Sequence, residues 1–294
     1  MSYYKWIFGL VVLLTSCKPN LFGMKESSEE AASSMATQAI NGELSNANIY
    51  VTEQAKEFSC QGVSGKVQVE TYANDRYLVR SDSTLCPGKN NFAGWVEKAQ
   101  LDYQDDALSP KLTRVKENSA IKLEMNYAGS KIFCTDGVCK IKSSLYGKNR
   151  CYLRPKVAAL LQSAAINLQK IDRTLSLYLY DCYRPVYVQE RMFQIVANPV
   201  WVARPKPPLY GGHNRAIAID LSISRNGIPV DMGSGFDEFT PKSNYDTPGL
   251  SSEQRANRKL LRDIMVGVGF KSYQDEWWHF FASLPDEEAF NLPL

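Results

Sequence analysis

Two histidines stand in the 294-residue chain, and each lies near carboxylates that could share a metal ion with it. His213 begins the stretch HNRAIAIDLSI, in which large apolar residues alternate with small or polar ones as in a β-strand. Asp220 lies on the small, polar face of that predicted strand, where a buried carboxylate is costly to ionise without a partner. His279 lies near the end of the chain, in DEWWHF. Two imidazoles and a carboxylate, with a fourth position open for water, make up a catalytic zinc site, so we predict His213, Asp220 and His279 as ligands of one Zn²⁺ ion.

Glu276 lies three residues before His279 and is the candidate general base. A carboxylate that contacts the activated water without binding the metal can take its proton and return it to the leaving amine. On a straight strand these two side chains would point to opposite faces, so we expect a turn or bulge between them. Arg184 follows another predicted strand and is the candidate for stabilising the oxyanion of the tetrahedral intermediate. The alternative for His279 is a structural histidine in an aromatic core.

Helices and strands alternate in the part of the chain that contains these residues. Apolar residues at helical spacing predict three helices, at residues 153–169, 186–197 and 252–268. Pro155 suits the first turn of the first helix. Alternation in LSLYLYD predicts a strand that starts at Leu175 and ends at Asp181. The pattern indicates an α+β domain over residues 118–294.

Four stretches of this domain, YDCYRP (180–185), HNRAIAIDL (213–221), PVDMGSGFDEF (229–239) and DEWWHF (275–280), occur in the order found in a known family. They resemble the D-alanyl-D-alanine dipeptidases, the zinc peptidases of vancomycin-resistance type, and LYGKNRCYLRPKVAALL (145–161) is similar to that family's early region. The resemblance implies that zinc is bound by His213, Asp220 and His279. It also implies that Glu276 is the catalytic acid/base, that Arg184 binds the transition state, and that an antiparallel sheet holds the metal.

The chain departs from the family pattern at three places. Ala216 stands where the family usually has Gly, and Gly211 stands where it usually has Ser. The family's early substrate-contacting segment is hard to find around residues 125–133. These differences leave the ligands intact, but they bear on loop shape and on the size of the substrate. The sequence leaves two roles for Asp237: it could hydrogen-bond to a ligand histidine, or it could cap backbone amides of its loop.

The first 17 residues, MSYYKWIFGLVVLLTSC, have the anatomy of a secretory signal. Lys5 precedes an apolar run from Trp6 to Leu14 that is too short for a permanent membrane span. The sequence LTSC resembles the lipobox of bacterial lipoproteins, which makes Cys17 the predicted lipidated residue. The alternative is an ordinary signal peptide with an incidental cysteine. Residues 18–46 are polar and rich in Ser, Glu and Ala, which predicts a flexible tether.

Residues 47–105 contain short alternating runs such as GKVQVETYA and RYLVRS, which predict a small all-β domain before the α+β domain. Gly94-Trp95-Val96 followed by Leu101 resembles the closing segment of bacterial SH3-like domains, which often bind peptidoglycan. A small barrel without a ligand is the alternative.

Six cysteines remain besides Cys17, and an even number in an exported protein favours disulfides. Six cysteines allow 15 pairings, and the sequence does not choose among them. Proximity suggests the pairs Cys60–Cys86, Cys134–Cys139 and Cys151–Cys182. Asp136-Gly137 is a strong hairpin signal and favours the second pair.

The net charge is +3 and charges of both signs are interspersed, so the sequence shows no basic patch of the kind that binds nucleic acid.

The main hypothesis is a lipid-anchored zinc peptidase of the bacterial cell envelope, on the periplasmic side or outer face of a membrane. It would hydrolyse D-alanyl-D-alanine or a related D-amino-acid bond. One alternative is a D,D-carboxypeptidase or endopeptidase that acts on peptidoglycan stem peptides, and another is a non-catalytic peptidoglycan-binding lipoprotein. Since metal binding requires neutral imidazoles, activity should fail at acid pH. The sequence does not predict the oligomeric state.

Overall fold

The computed structural model describes residues 49–51, 66–73, 76–81, 93–97, 101–103, 108–109, 111–128, 134–135, 138–139, 145, 149–205, 211–284, 288–290, 292 and 294. The predicted signal and lipidated Cys17, the tether, and the predicted pair Cys60–Cys86 lie outside these residues. Among the described helices, none is both long enough and apolar enough to cross a membrane.

An antiparallel sheet occupies the first part of the described chain. Its strands are β1 (Ile49–Val51), β2 (Lys66–Ala73), β3 (Arg76–Ser81), β4 (Ala93–Glu97) and β5 (Leu101–Tyr103). They pair in the order β4-β3-β2-β1-β5, so β4 and β5 form the two edges of the described sheet. The predicted strands are confirmed, and closure of the sheet into an SH3-like barrel stays a prediction.

A second, six-stranded sheet holds the centre of the remaining chain. Its strands are β7 (Ile121–Leu123), β11 (Leu175–Asp181), β12 (Ala218–Arg225), β13 (Ile228–Pro229), β14 (Phe270–Ser272) and β15 (His279–Ala282). The order is β14-β15-β12-β11-β7, with β13 paired to β12. The expected antiparallel pairing holds except at one edge, where β7 runs parallel to β11. A parallel pair needs a long crossover, and the helix before β11 lies within this connection.

Two short pairs complete the described strands. β6 (Thr113–Val115) pairs with β10 (Cys151–Leu153), and β8 (Cys134–Thr135) pairs with β9 (Val138–Cys139). In the second pair Cys134 lies directly opposite Cys139, so the predicted hairpin is confirmed. The placement of these two side chains lies outside what the structure describes.

Three α-helices lie close to their predicted positions: α1 (Pro155–Ile171), α2 (Val186–Ile195) and α3 (Ser252–Gly267). Helix α1 starts at Pro155, where the missing N–H costs no helical hydrogen bond. Helix α3 starts with a capping box, in which Ser251 and Gln254 satisfy each other's backbone N–H groups. Leu161 and Leu168 of α1 are fully buried, and each contributes about 1.5–3 kcal/mol of hydrophobic free energy.

The apolar side chains form two clusters. The first lies between the six-stranded sheet and helices α1 and α3. The second joins the N-terminal sheet to α2 and to the end of the chain, and it includes an edge-to-face contact between Tyr77 and Tyr187. The two predicted domains, residues 47–105 and 118–294, therefore share one of the apolar clusters.

The predicted disulfide between Cys151 and Cys182 is present, with Cα atoms 5.3 Å apart. It ties β10 to the segment that follows β11.

Candidate metal centre and active site

Asp220 and His279 face each other across adjacent strands. The register of β12 and β15 pairs these two residues directly. Asp220 Oδ1 lies 2.8 Å from His279 Nδ1, a hydrogen-bond distance. Since cross-strand neighbours sit about 5 Å apart at Cβ, the sheet itself brings the two predicted ligands together.

His213 joins them from the turn that precedes β12. Its Nε2 atom lies 3.3 Å from Asp220 Oδ2 and 3.3 Å from His279 Nδ1. Its Nδ1 atom lies 2.7 Å from the carbonyl oxygen of Cys182. A carbonyl only accepts, so Nδ1 carries the proton and Nε2 offers its lone pair to the cluster. The ligand atoms of all three residues lie within 4.8 Å of one another, as a bound metal ion requires.

The turn that carries His213 depends on the absence of a side chain at Gly212. A Cβ atom there would lie 2.7 Å from the Cβ of Ala218, closer than real Cβ contacts. Glycine therefore lets the histidine turn pack against the first residue of β12.

Glu276 lies beside the cluster, as the expected turn allows. The N–H of His279 donates to the carbonyl of Glu276 at 3.1 Å, which closes a turn just before β15. This turn places Glu276 Oε2 3.9 Å from His279 Nδ1. The expected break in the strand is confirmed, and Glu276 is brought next to the three candidate ligands.

Arg184 approaches the cluster from the segment after β11. Its Nε and Nη2 atoms donate to Asp181 Oδ2 at 2.9 and 2.7 Å, and its Nη1 atom donates to Gln189 Oε1 at 2.7 Å. Nη2 also lies 3.7 Å from Asp220 Oδ2. The guanidinium is thus a fixed positive charge at the edge of the candidate metal site.

Burial and charge shift the pKa values of the cluster in different directions. Burial alone would raise the pKa of Asp220, but His213 and His279 outweigh it and hold this pKa below its usual range. Burial lowers the pKa of His279. Burial also raises the pKa of Glu276 well above its usual value, and the charges of Asp220 and Asp237 add to this effect. A bound divalent cation would oppose this increase and favour the ionised carboxylate, so Glu276 could exchange a proton with a group at the metal site.

The cluster opens into a cavity of about 230 Å³. The lining comprises the cluster residues His213, Asp220 and His279, the adjacent Glu276 and Arg184, the aromatic side chains Tyr127, Trp201, Phe239, Tyr273 and Trp278, and Gln189, Met192, Pro199, Val200, Ala203, Gly211, Gly212 and Asp237. Trp278 lines the cavity and is buried in the core, and Trp277 is also buried in the core.

Asp237 is a cavity residue whose place the sequence left open. Its carboxylate accepts a hydrogen bond of 2.7 Å from the hydroxyl of Tyr127. Burial raises the pKa of Asp237 from 3.8 to about 8. Tyr127 lies in the segment where the family's substrate-contacting residues could not be found by sequence. Tyr127 and Asp237 are 110 positions apart in the chain, so no local sequence pattern could have predicted their contact.

Two departures from the family pattern have a structural setting. Ala216 has a φ of 56°, a left-handed conformation that favours glycine. Gly211 lines the cavity, and a Cβ atom there would lie 3.3 Å from the Cβ of Ala203. A side chain at position 211 would therefore press against the opposite wall.

Comparison with known proteins gives consistent matches. The family model described as D-ala-D-ala dipeptidase matches residues 119–291. A D-alanyl-D-alanine dipeptidase of Escherichia coli is 33% identical over 174 residues, which cover 58% of this chain and 83% of that protein. A D-alanyl-D-alanine dipeptidase of Enterococcus faecium is 43% identical over 122 residues, 35% of this chain and 60% of that protein. One of Enterococcus faecalis is 29% identical over 153 residues, 46% of this chain and 75% of that protein.

Proposed function

Because the chain belongs to the D-alanyl-D-alanine dipeptidase family, we propose that it is a metallopeptidase that hydrolyses D-alanyl-D-alanine in bacterial cell-wall metabolism. The observation that carries this proposal is the convergence of His213, Asp220 and His279 at the floor of a small cavity, with Glu276 beside them.

The donor set fits a zinc ion. Two imidazole nitrogens and one carboxylate are the ligands that catalytic zinc takes, and the hydrogen bond from His213 to the Cys182 carbonyl orients that ligand. The metal would polarise the scissile carbonyl and activate water. We assign the three residues as ligands on this basis.

Glu276 and Arg184 supply the remaining chemistry. Glu276 is the group that takes a proton from the attacking water and returns it to the leaving amine, because it is buried beside the ligands without forming part of their cluster. Arg184 stabilises negative charge on the substrate oxygen, because Asp181 and Gln189 hold its guanidinium in place.

The cavity supports a free dipeptide over a stem peptide. Its volume of about 230 Å³ is below the range of about 300–1,000 Å³ typical of pockets for drug-sized ligands. A free dipeptide also brings an ammonium group into the site. Asp237, a buried carboxyl outside the ligand set, is the partner that we assign to this ammonium, whose positive charge would favour the ionised form.

The N-terminal region supports a place at the cell envelope. We propose that residues 1–17 direct export, that Cys17 carries the lipid, and that residues 18–46 form the tether on the periplasmic side or outer face of a membrane. The sheet of residues 47–105 is proposed as an SH3-like module that docks on peptidoglycan. The pairs Cys60–Cys86 and Cys134–Cys139 are proposed disulfides.

The test uses the chain from residue 18 onward and its Glu276→Gln variant. Both are assayed for metal content and for D-alanine release from D-alanyl-D-alanine and from a muropeptide pentapeptide. We expect about one zinc per chain in both proteins, and hydrolysis of the dipeptide by the wild type only. Preference for the pentapeptide would favour the carboxypeptidase alternative. A zinc-loaded wild type that cleaves neither substrate would overturn the proposal.

A further inference from the structure

Gln189 contacts two parts of the cavity lining. It lies on α2, is only 2% exposed, and lines the cavity. Its Oε1 atom accepts a hydrogen bond of 2.7 Å from Arg184 Nη1. Its Nε2 atom donates a hydrogen bond of 2.7 Å to the carbonyl of Ala203.

Ala203 ends a short segment that forms one side of the cavity. We call residues 198–203 the cavity wall; Pro199, Val200, Trp201 and Ala203 line the cavity. The wall is a tight turn in which the N–H groups of Trp201 and Val202 donate to the carbonyl of Asn198. Trp201 stacks on Phe239, and the hydroxyl of Tyr273 donates to the carbonyl of Val200 at 3.1 Å.

The amide of Gln189 makes its two contacts with opposite roles, as acceptor and as donor. A guanidinium only donates and a backbone carbonyl only accepts, so the two contacts fix the orientation of the amide. Glutamate at this position would keep the contact with Arg184 but would face the Ala203 carbonyl with a second acceptor. Methionine has a similar length and would make neither hydrogen bond.

The helix that carries Gln189 is held from its other side. Tyr187 and Val188 are buried in the cluster that α2 shares with the N-terminal sheet. This packing limits how far the helix can shift to compensate for a changed side chain at position 189.

We propose that Gln189 is a positioning residue that couples the guanidinium of Arg184 to the cavity wall, and that the wall so held restricts the site to short substrates. The proposal rests on the proposed function. The amide then has two roles. It orients the guanidinium of Arg184 toward the reacting carbonyl, and it holds the cavity wall in place. A loosened wall should admit longer peptides that contain the D-alanyl-D-alanine unit.

The two contacts can be broken separately in the otherwise unchanged protein. Gln189→Glu keeps an acceptor for Arg184 and removes the donor to the wall, so we expect KM for D-alanyl-D-alanine to rise about 3- to 10-fold. The added negative charge beside Arg184 should also lower kcat, by less than about 10-fold. The activity of this variant on the pentapeptide should rise relative to the dipeptide. Gln189→Met removes both hydrogen bonds, so kcat should fall further, by about 10- to 100-fold.

Gln169 also donates its amide to a backbone carbonyl, that of Ser119, and lies outside the cavity lining. Gln169→Glu and Gln169→Met are therefore the matched controls, and we expect wild-type kcat and KM from both.

Amide hydrogen exchange gives a readout that does not depend on turnover. The N–H groups of Trp201 and Val202 should exchange faster in both Gln189 variants and at the wild-type rate in both Gln169 variants. Equal kinetics and equal exchange in wild type and both Gln189 variants would overturn the coupling. A loss of kcat in Gln189→Met without faster exchange in either variant would also overturn it, since the wall would then be independent of Gln189. If the wild type fails to hydrolyse the dipeptide, the proposed function fails, while the exchange rates still decide whether Gln189 holds the wall.

Discussion

The candidate site has a strand side and a loop side, and they are built differently. On the strand side, Asp220 and His279 occupy paired positions of β12 and β15, so backbone hydrogen bonds alone set their separation. On the loop side, His213, Arg184 and Asp237 lie on irregular segments between elements. Each is held by particular side-chain contacts. Strand pairing positions two candidate ligands without a strained backbone, whereas each loop residue needs its own hydrogen bonds to hold it in place.

The supports of the loop side are linked to one another. The disulfide holds Cys182, whose carbonyl orients His213. Asp181, one position earlier, holds Arg184. Variants of the strand-side ligands should therefore remove chemistry and leave the fold, and variants of the structural supports of the loop side, such as the disulfide, should mainly change stability.

The largest effect is expected on the strand side, from Asp220→Asn. An amide replaces the charged ligand between two imidazoles, so the protein should lose its metal. Activity should fall by more than about 100-fold, because removing even a hydrogen-bond partner of a metal ligand lowers metal affinity or activity by about 10- to 100-fold. The backbone pairing of β12 is unchanged, so the circular dichroism spectrum should match that of the wild type. Metal analysis and D-alanine release measure the effect.

Ser222→Ala is the matched control for this variant. Ser222 lies two residues further along β12 on the same face and is also fully buried. Its variant should keep metal and activity. Metal loss in both variants would mean that the strand, and not the ligand, had been disturbed.

The strand side was predictable from sequence, because it follows the two-residue period of a strand. The alternation in residues 217–223 placed Asp220 on the small, polar face before any partner was known. The pairing of His279 with Asp220 was not derivable, because register depends on both strands.

The loop side was visible from sequence only in part: residue type and position beside predicted strands indicated His213 and Arg184. Arg184 follows a predicted strand, but its partner Gln189 is one helical residue among others in the sequence. Tyr127 and Asp237 meet only through the tertiary fold. Loop geometry depends on such distant contacts, so local patterns carry little information about it.

The next effect in size is expected on the loop side, from replacing Cys151 and Cys182 together by alanine. The disulfide closes a loop of 31 residues, and its removal should lower the free energy of unfolding by about 3–4 kcal/mol through the gained entropy of the unfolded chain. Urea unfolding of the two proteins measures this difference. A loss below about 1 kcal/mol would indicate that the loop side is held by packing alone.

A pH-dependent effect, of about 1.4 kcal/mol per pH unit at most, is expected from Asp237→Asn in the metal-free protein. The native carboxyl keeps its proton up to about pH 8, whereas the pKa in the unfolded chain is 3.8. Between these values the folded state binds more protons than the unfolded state, so raising the pH destabilises the fold, by up to about 1.4 kcal/mol per pH unit from this group. Asparagine removes this contribution and tolerates the φ of 59° at this position.

Urea unfolding at intervals from pH 5 to pH 8 measures the slope. The stability of the wild type should fall more steeply with pH than that of Asp237→Asn. Parallel pH profiles would show that Asp237 ionises normally in the folded protein, and would remove the reason to treat it as a desolvated cavity carboxyl.

The smallest effect is expected at Ala216, where the loop side meets the first residues of β12. A left-handed conformation costs a non-glycine residue about 1–2 kcal/mol, so glycine should relieve strain. Glycine also adds about 0.4–1 kcal/mol of unfolded-state entropy and removes a fully buried methyl group worth about 0.8 kcal/mol. These contributions nearly cancel, so Ala216→Gly should change the free energy of unfolding by less than about 1 kcal/mol. Ala216→Val keeps the positive φ and adds a branched side chain in a packed core, so it should destabilise by about 2 kcal/mol or more. Thermal unfolding of both variants tests the account: if valine is tolerated as well as glycine, the loop side is not strained at this turn, and the family's usual glycine has another cause.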